Sequence, residues 1–353
     1  MPDTALDDDA LVELAERLRG AETGGWTEKG VRGLAGALGW EPADGAPTRL
    51  RTGLPTGEAR LRPVDRLDED YTRGERHLGL YVPVALVDGG AAAKADAFAR
   101  AARALTAKLG PAPIMGAHGD PGPFYESTAS WGSPFLRWRG RPDSLELRAG
   151  DDGPELLLHP SDPVENWHWR QGHGEAYALG GFFGARPDPA NAGLGHPGGW
   201  TTGDWDVFAT ALGGFLGCLA AETRALGIEL SLGMHGRIPG THGPWVFHIA
   251  SAQTLELAVY EETVDTSALD MAALGWTPVS EAPAAMDHLI DVSHHTGAFA
   301  PGEADGRGLA RTLVETAKAL GIPSPRGLSL IDHCQSVAGY RVDYYGLTLK
   351  ENP

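Results

Sequence analysis

Apolar residues recur at Leu11, Leu14, Ala15 and Leu18, spaced i, i+3, i+4, i+7. That stripe predicts an amphipathic helix, and Asp7, Asp8 and Asp9 stand where its dipole favours negative charge. A second helix is predicted after Thr27, with Val31, Leu34 and Leu38 on one face and Gly39 as its left-handed stop. The period then changes to two. Ala59, Leu61 and Pro63 alternate with Arg60 and Arg62, and 77–86 is rich in Leu, Tyr and Val, so 47–87 reads as strands. The helical period returns over 91–109, with Phe98, Ala102, Leu105 and Leu109 aligned before Gly110-Pro111. Short strands are predicted around 135–138, 144–147 and 155–159, the last two joined by a turn at Asp151-Asp152-Gly153. No period survives in 184–203, which reads as a linker.

The strongest pattern follows. Trp205, Phe208, Leu212, Phe215 and Leu219 step by 3, 4, 3, 4 along one seam, capped by Thr202 or Asp204 and ended by Gly227. Gly213, Gly214 and Gly217 weaken this helix by about 1 kcal/mol each against Ala, so something is expected to pack close to them. Strands are predicted at 229–234, 245–250 and 254–261; in the last, Leu255, Leu257 and Val259 alternate with Glu256, Ala258 and Tyr260. A short helix is expected over 267–274, with Ser267 and Asp270 in capping-box spacing. A strand at 286–292, a helix over 307–320 and a strand or hairpin at 341–349 complete the pattern. Leu38-Gly39-Trp40 and Leu274-Gly275-Trp276 close a helix in each half. Each is followed by strand and an Ala-rich helix, an echo that fits either duplication or the ordinary way helices end.

Composition narrows the class. The 353 residues are 42% apolar, enough for two domains with their own cores. No run of 18 apolar residues is present, and the first residues lack a basic and an apolar region, so a soluble cytoplasmic protein is expected. The two cysteines, Cys218 and Cys334, make neither a disulfide framework nor a cysteine-rich zinc site. Arg outnumbers Lys by 24 to 5, the bias of a GC-rich bacterial genome. The net charge of −18 is uneven: residues 1–150 hold 19 Lys/Arg against 22 Asp/Glu, residues 151–353 hold 10 against 25. Such an acidic half repels phosphate and anionic lipid and suits a basic protein partner.

Candidate chemistry is sparse. Gly193-Leu194-Gly195-His196-Pro197-Gly198 matches G-x-G-x-x-G, but Pro197 removes a donor and no helix opens on it, so it reads as linker. His168, His173 and Glu175 are metal-ligand types within eight residues, in a spacing that fits no helical face. Cys218 reads as a buried structural thiol, and Cys334 beside His333 is discounted because strand neighbours point to opposite faces. Arg49, Arg51, Arg60, Arg62, Arg137, Arg139 and Arg141 alternate along strands and, with acids among them, read as a solvated mixed face. Trp245 and Phe247 are expected to share a buried face, and Tyr260 to point outward.

Four stretches of 204–331 carry a resemblance: the W-x-x-F helix start at Trp205 and Phe208, the strand 254–261, Leu274-Gly275-Trp276-Thr277-Pro278, and the helix end Ala319-Leu320-Gly321-Ile322-Pro323. On these, the segment resembles the superfamily that joins type III secretion chaperones and the YbjN-like (TY-Chap) proteins. It departs in the glycines of 240–243 before Leu255 and in lacking Asn-Trp after Leu-Gly-Trp. Residues 6–160 resemble an uncharacterised actinobacterial immunity- or toxin-associated family through Trp26, Leu38-Gly39-Trp40, Leu50-Arg51-Thr52-Gly53, the helix to Leu109-Gly110 and the strand 145–147.

The resemblance implies a non-enzymatic protein without cofactor or metal. Two α+β domains are expected, 1–183 and 204–353 joined by the linker 184–203, each an antiparallel sheet packed by helices, in a monomeric pseudodimer or a homodimer. The expected function is chaperone-like or immunity binding of a protein or peptide, with no nucleic acid and no membrane, through Trp245, Phe247, Tyr260 and Trp276. The alternative is a metal-dependent hydrolase or oxygenase using His168, His173 and Glu175. In a third case one domain functions and the other is a spacer.

Overall fold

The computed structural model describes residues 4–44, 46–66, 68–119, 128–172, 179–191, 201–260, 264–281, 292–347 and 349–351. In chain order the elements begin with β1 (Thr4–Ala5), α1 (Asp8–Arg19), α2 (Glu28–Leu38), β2 (Glu41–Ala43), β3 (Ala46–Leu54), β4 (Gly57–Pro63), β5 (His77–Pro83), β6 (Ala85–Leu86) and α3 (Ala91–Leu109). Then come β7 (Ile114–Ala117), β8 (Pro134–Trp138), β9 (Asp143–Gly150), β10 (Gly153–Pro160), α4 (Ser161–Gly172), β11 (Phe182–Ala185) and α5 (Trp205–Leu226). The rest are β12 (Leu230–Gly236), β13 (Trp245–Ser251), β14 (Leu255–Tyr260), β15 (Thr277–Pro278), β16 (Val292–Phe299), α6 (Gly306–Ala319), β17 (Leu328–Leu330), β18 (Ser336–Val337), β19 (Tyr340–Asp343) and β20 (Lys350–Glu351).

The class is α+β. An 11-stranded sheet runs β18-β19-β11-β7-β8-β9-β10-β5-β4-β3-β2, a 7-stranded sheet runs β15-β16-β14-β13-β12-β17-β20, and β1 pairs with β6. Every pair is antiparallel except the short β17–β20 contact. The two large sheets differ in strand number and order. β19, from the C-terminal half, pairs with β11, so the larger sheet draws on both halves of the chain.

Local chemistry explains the helices. Asp7 accepts from Ala10 N at 2.8 Å and Thr27 Oγ1 from Gly30 N at 3.1 Å, each satisfying an amide at a helix start. Gly39 (φ 73°) and Gly227 (φ 64°) end α2 and α5 in the left-handed conformation that glycine adopts without strain. Helices α1, α3 and α5 pack in a layer on the large sheet, while α5 also touches α6 and strands β13 and β14. One continuous core therefore spans the chain, from Leu6 to Leu349. The close packing expected at the glycines of α5 is found at Gly213 and Gly217, where a Cβ on Gly306 of α6 would lie 2.2 Å from Gly213 O and 2.5 Å from Gly217 N, but not at Gly214, which is exposed with nothing within 4 Å of a Cβ.

Several expectations change. Residues 267–274 form turns, not a helix; Asp270 caps Ala273 N at 3.0 Å, while Ser267 is engaged by Asp265. The aperiodic 184–203 stretch contains the end of β11 and a 3₁₀ turn at Pro189–Asn191, and 192–200 lies outside the described residues. The strand expected at 286–292 falls mostly outside them too, and β16 begins at Val292. Helix α4 was not expected at all.

Candidate functional site on the C-terminal sheet

One face of the 7-stranded sheet packs on α5 through Phe247, Ile249, Leu255, Leu257 and Val259, all buried. Strand alternation turns the intervening residues to the other face. Pairing aligns Gly233, His248, Ala258 and His295 across four strands of that face. Ser231 and His235 flank Gly233 on β12, and Tyr260 follows Ala258 on β14.

Trp245 joins this outer face through a bulge. Met234 pairs with Phe247, yet the next residue, His235, pairs with Trp245, so Val246 is the extra residue. The bulge reverses the side on which Trp245 emerges. Trp245 and Phe247 therefore do not share the buried face expected from their i, i+2 spacing. Trp245 is 39% exposed, the sole exposed large apolar side chain among the described residues. Its ring lies edge-on to Tyr260 at 5.3 Å and beside His235 at 5.8 Å. His248 flanks Tyr260 at 6.0 Å, and its Nε2 is 2.8 Å from Ser231 Oγ. Burial, reinforced by Cys334, raises the Tyr260 phenol above its ordinary pKa, so it stays a neutral hydroxyl. Tyr260 is half-buried and faces outward, as its shared face with Glu256 required.

The floor of this face is closed by the turn after β17. A Cβ on Gly233 would lie 2.3 Å from Ile331 Cδ1, and Gly233 N donates to Cys334 Sγ at 3.2 Å. The Trp245–Tyr260 end stays open, as do Ser231 and Ala298 at the opposite end of the face. The other two expected partner-binding residues are elsewhere. Phe247 and Trp276 stack at 6.3 Å, 6° from parallel, inside the core, and Trp276 Nε1 donates to Thr316 Oγ1 at 2.8 Å. Only Trp245 and Tyr260 are brought together at a surface.

His168 falls on α4; its side chain, and His173 and Glu175 altogether, lie outside the described residues. Among the described residues no three His, Cys, Asp or Glu side chains converge to hold a metal ion. The arginine set is a mixed, paired face: Arg49 meets Glu58 at 3.5 Å, Arg62 meets Asp68 at 3.0 Å, and Arg139 meets Glu165 at 2.7 Å. Arg141 pairs with Asp162. Arg137 departs from the solvated expectation, being buried with its Nε 2.8 Å from Glu146 Oε2. Burial alone would raise Glu146. Arg137, a hydrogen bond from His118 and the nearby His159 outweigh it and hold this carboxyl below the usual carboxylate range.

No family model matches the chain, and neither does any curated protein or any solved structure.

Proposed function

We propose that this protein binds another polypeptide, holding a basic segment of it against the Trp245–Tyr260 end of the C-terminal sheet in a chaperone-like or immunity role. The observation that carries this is Trp245, turned out of a packed sheet by a bulge and steadied by Tyr260 and His235. Rigid aromatic side chains with a polar flank are the usual anchors of protein interfaces. Glu256 shares the face, and the half of the chain around it carries the net negative charge, which favours a basic partner and speeds encounter. Strand addition is the weaker route here. Each edge strand of the two large sheets is two or three residues long, and Pro42 and Pro278 lack the amide that pairing needs.

Purified wild-type protein and Trp245→Asp, both checked by circular dichroism, would be used as bait in lysate of the native host. The wild type is expected to retain a basic polypeptide that the variant loses. With that polypeptide isolated, Trp245→Ala should weaken binding by about 2 kcal/mol, roughly thirtyfold in Kd. Equal recovery by both baits, or nothing above background, rejects the proposal. A partner held unfolded assigns the chaperone role; a partner folded while bound assigns the immunity role.

A further inference from the structure

A second feature lies inside the molecule, away from Trp245. A cavity of about 340 Å³ sits between the end of β7, residues 128–133 and one side of α5. That is within the size range of small-molecule sites. Glu222 of α5 lines it and is 4% exposed. Gly132 (φ 131°) makes room for this side chain, since a Cβ there would lie 2.9 Å from Glu222 Cγ. Among the described residues two hydrogen bonds reach the carboxyl, both on Oε1: Ser133 N at 3.1 Å and, at the limit of reach, Ser133 Oγ at 3.5 Å. Ser133 Oγ makes its shorter bond to His118 O at 2.5 Å.

Among the described residues no cation offsets this carboxyl. Burial pushes Glu222 up to about 7, opposed only by the two bonds from Ser133. The described titratable groups facing it, His118, Cys218 and Tyr345, are uncharged near neutral pH. Burial lowers His118, burial and Glu222 together push Cys218 up to about 12, and burial raises Tyr345. A buried carboxylate with one backbone partner and a cavity in front of it lacks a counter-charge. Phe215 and Leu179 give the same cavity an apolar wall. At its mouth Gly214 is exposed, and a Cβ there meets nothing within 4 Å.

We infer that this cavity binds a small organic cation, a primary alkylammonium whose N–H groups donate to Glu222 and whose apolar body lies along Phe215 and Leu179. Binding needs the ionised carboxylate, so affinity rises with pH until Glu222 is fully deprotonated.

The test is calorimetric titration with n-butylammonium chloride at constant ionic strength, with n-butanol as the uncharged probe. Saturable binding is expected at pH 8, about tenfold weaker at pH 6, at least tenfold weaker in Glu222→Gln, and undetectable for n-butanol. Gly214→Met, which leaves Glu222 in place and fills the mouth, should abolish it and carries the test should Glu222→Gln fail to fold. The site is refuted by no saturable heat at pH 8, by undiminished affinity in either folded variant, or by n-butanol binding as well as the amine.

Discussion

His159 is buried on β10, its Nδ1 donating to Pro160 O at 3.1 Å; burial and then Arg137 push its pKa down to about 4. The unfolded chain takes up this proton near 6.5, so acidification from 6.5 to 4 favours unfolding by about 3 kcal/mol. Glu222 acts in the opposite sense. Folded, it holds a proton up to about 7; unfolded, only to about 4.5, so raising the pH between those values costs about 3 kcal/mol of stability. Between 4.5 and 6.5 the two slopes largely cancel. Glu222→Gln removes one of them. Urea midpoints are expected to climb steadily from pH 4.5 to 6.5 in the variant, and at pH 8 it should exceed the wild type by about 3 kcal/mol. A variant that tracks the wild type at pH 5, 6.5 and 8 would contradict this. The sequence held a signal for Glu222. Continuing the seam by three from Leu219 lands on it, a carboxylate on the apolar stripe. Glu146 had none, because Ser144, Glu146 and Arg148 alternating with Leu145 and Leu147 read as an ordinary solvated strand face, and its burial depends on what covers the sheet.

Most elements were legible as helix or strand, including β5, β8 and β10, which are buried on both faces; what an apolar pattern does not show is how many faces are covered. The stripes of α1, α2 and α3 were legible, with the acidic start of α1, both ends of α2 and the Gly110-Pro111 stop of α3, because a single apolar face leaves few alternatives. α5 reads as one seam, yet Ala211, Leu216, Ala220, Ala221 and Ala225 are buried as well, since it is packed by α3, α6 and strands of both large sheets. The bulge that turns Trp245 outward is invisible to alternation, which assumes an unbroken pairing register. α4 carries a start signal, Ser161 followed by Pro163 in its first turn, but no single apolar stripe follows it to mark the helix. The α5–α6 crossing separates two glycines by function. Gly306→Ala sets a methyl against backbone at 2.2 and 2.5 Å, which neither helix relieves without moving, and should cost about 1–3 kcal/mol. Gly217→Ala finds its nearest atom, Gly306 Cα, at 3.9 Å and should gain up to about 1 kcal/mol in helix propensity. Thermal midpoints that move the same way in both variants would show that the crossing is not set by backbone contact.

Across the whole molecule, the aperiodic stretch near 184–203 suggested a boundary, whereas the contacts run through it. Tyr340 OH donates to Ala112 O at 2.8 Å, and Gly119 N donates to Tyr345 OH at 3.3 Å. Tyr344 lies 6.3 Å from both Phe182 and Phe215, so one ring touches the large sheet and the central helix. Arg224 on α5 grips Asp96 on α3 through bonds of 2.6 and 2.8 Å. Pairings between residues more than 200 apart leave no local periodicity, which is why the sequence pattern alone divides the chain where the structure knits it. Cooperative unfolding follows from such knitting, because losing β19 exposes apolar surface on both sides of the supposed boundary. In urea, far-ultraviolet circular dichroism and tryptophan fluorescence should report one coincident transition, with tryptophans such as Trp26, Trp138, Trp245 and Trp276 sampling both halves. A chain ending at residue 335 removes β18 and β19 from the edge of the large sheet and is expected to unfold as a whole, not to leave residues 1–183 intact. Two resolved transitions, or a shortened chain whose first 183 residues keep native dichroism and protease resistance, would instead establish two independently stable units. The Trp245 surface could then be studied on residues 204–353 alone.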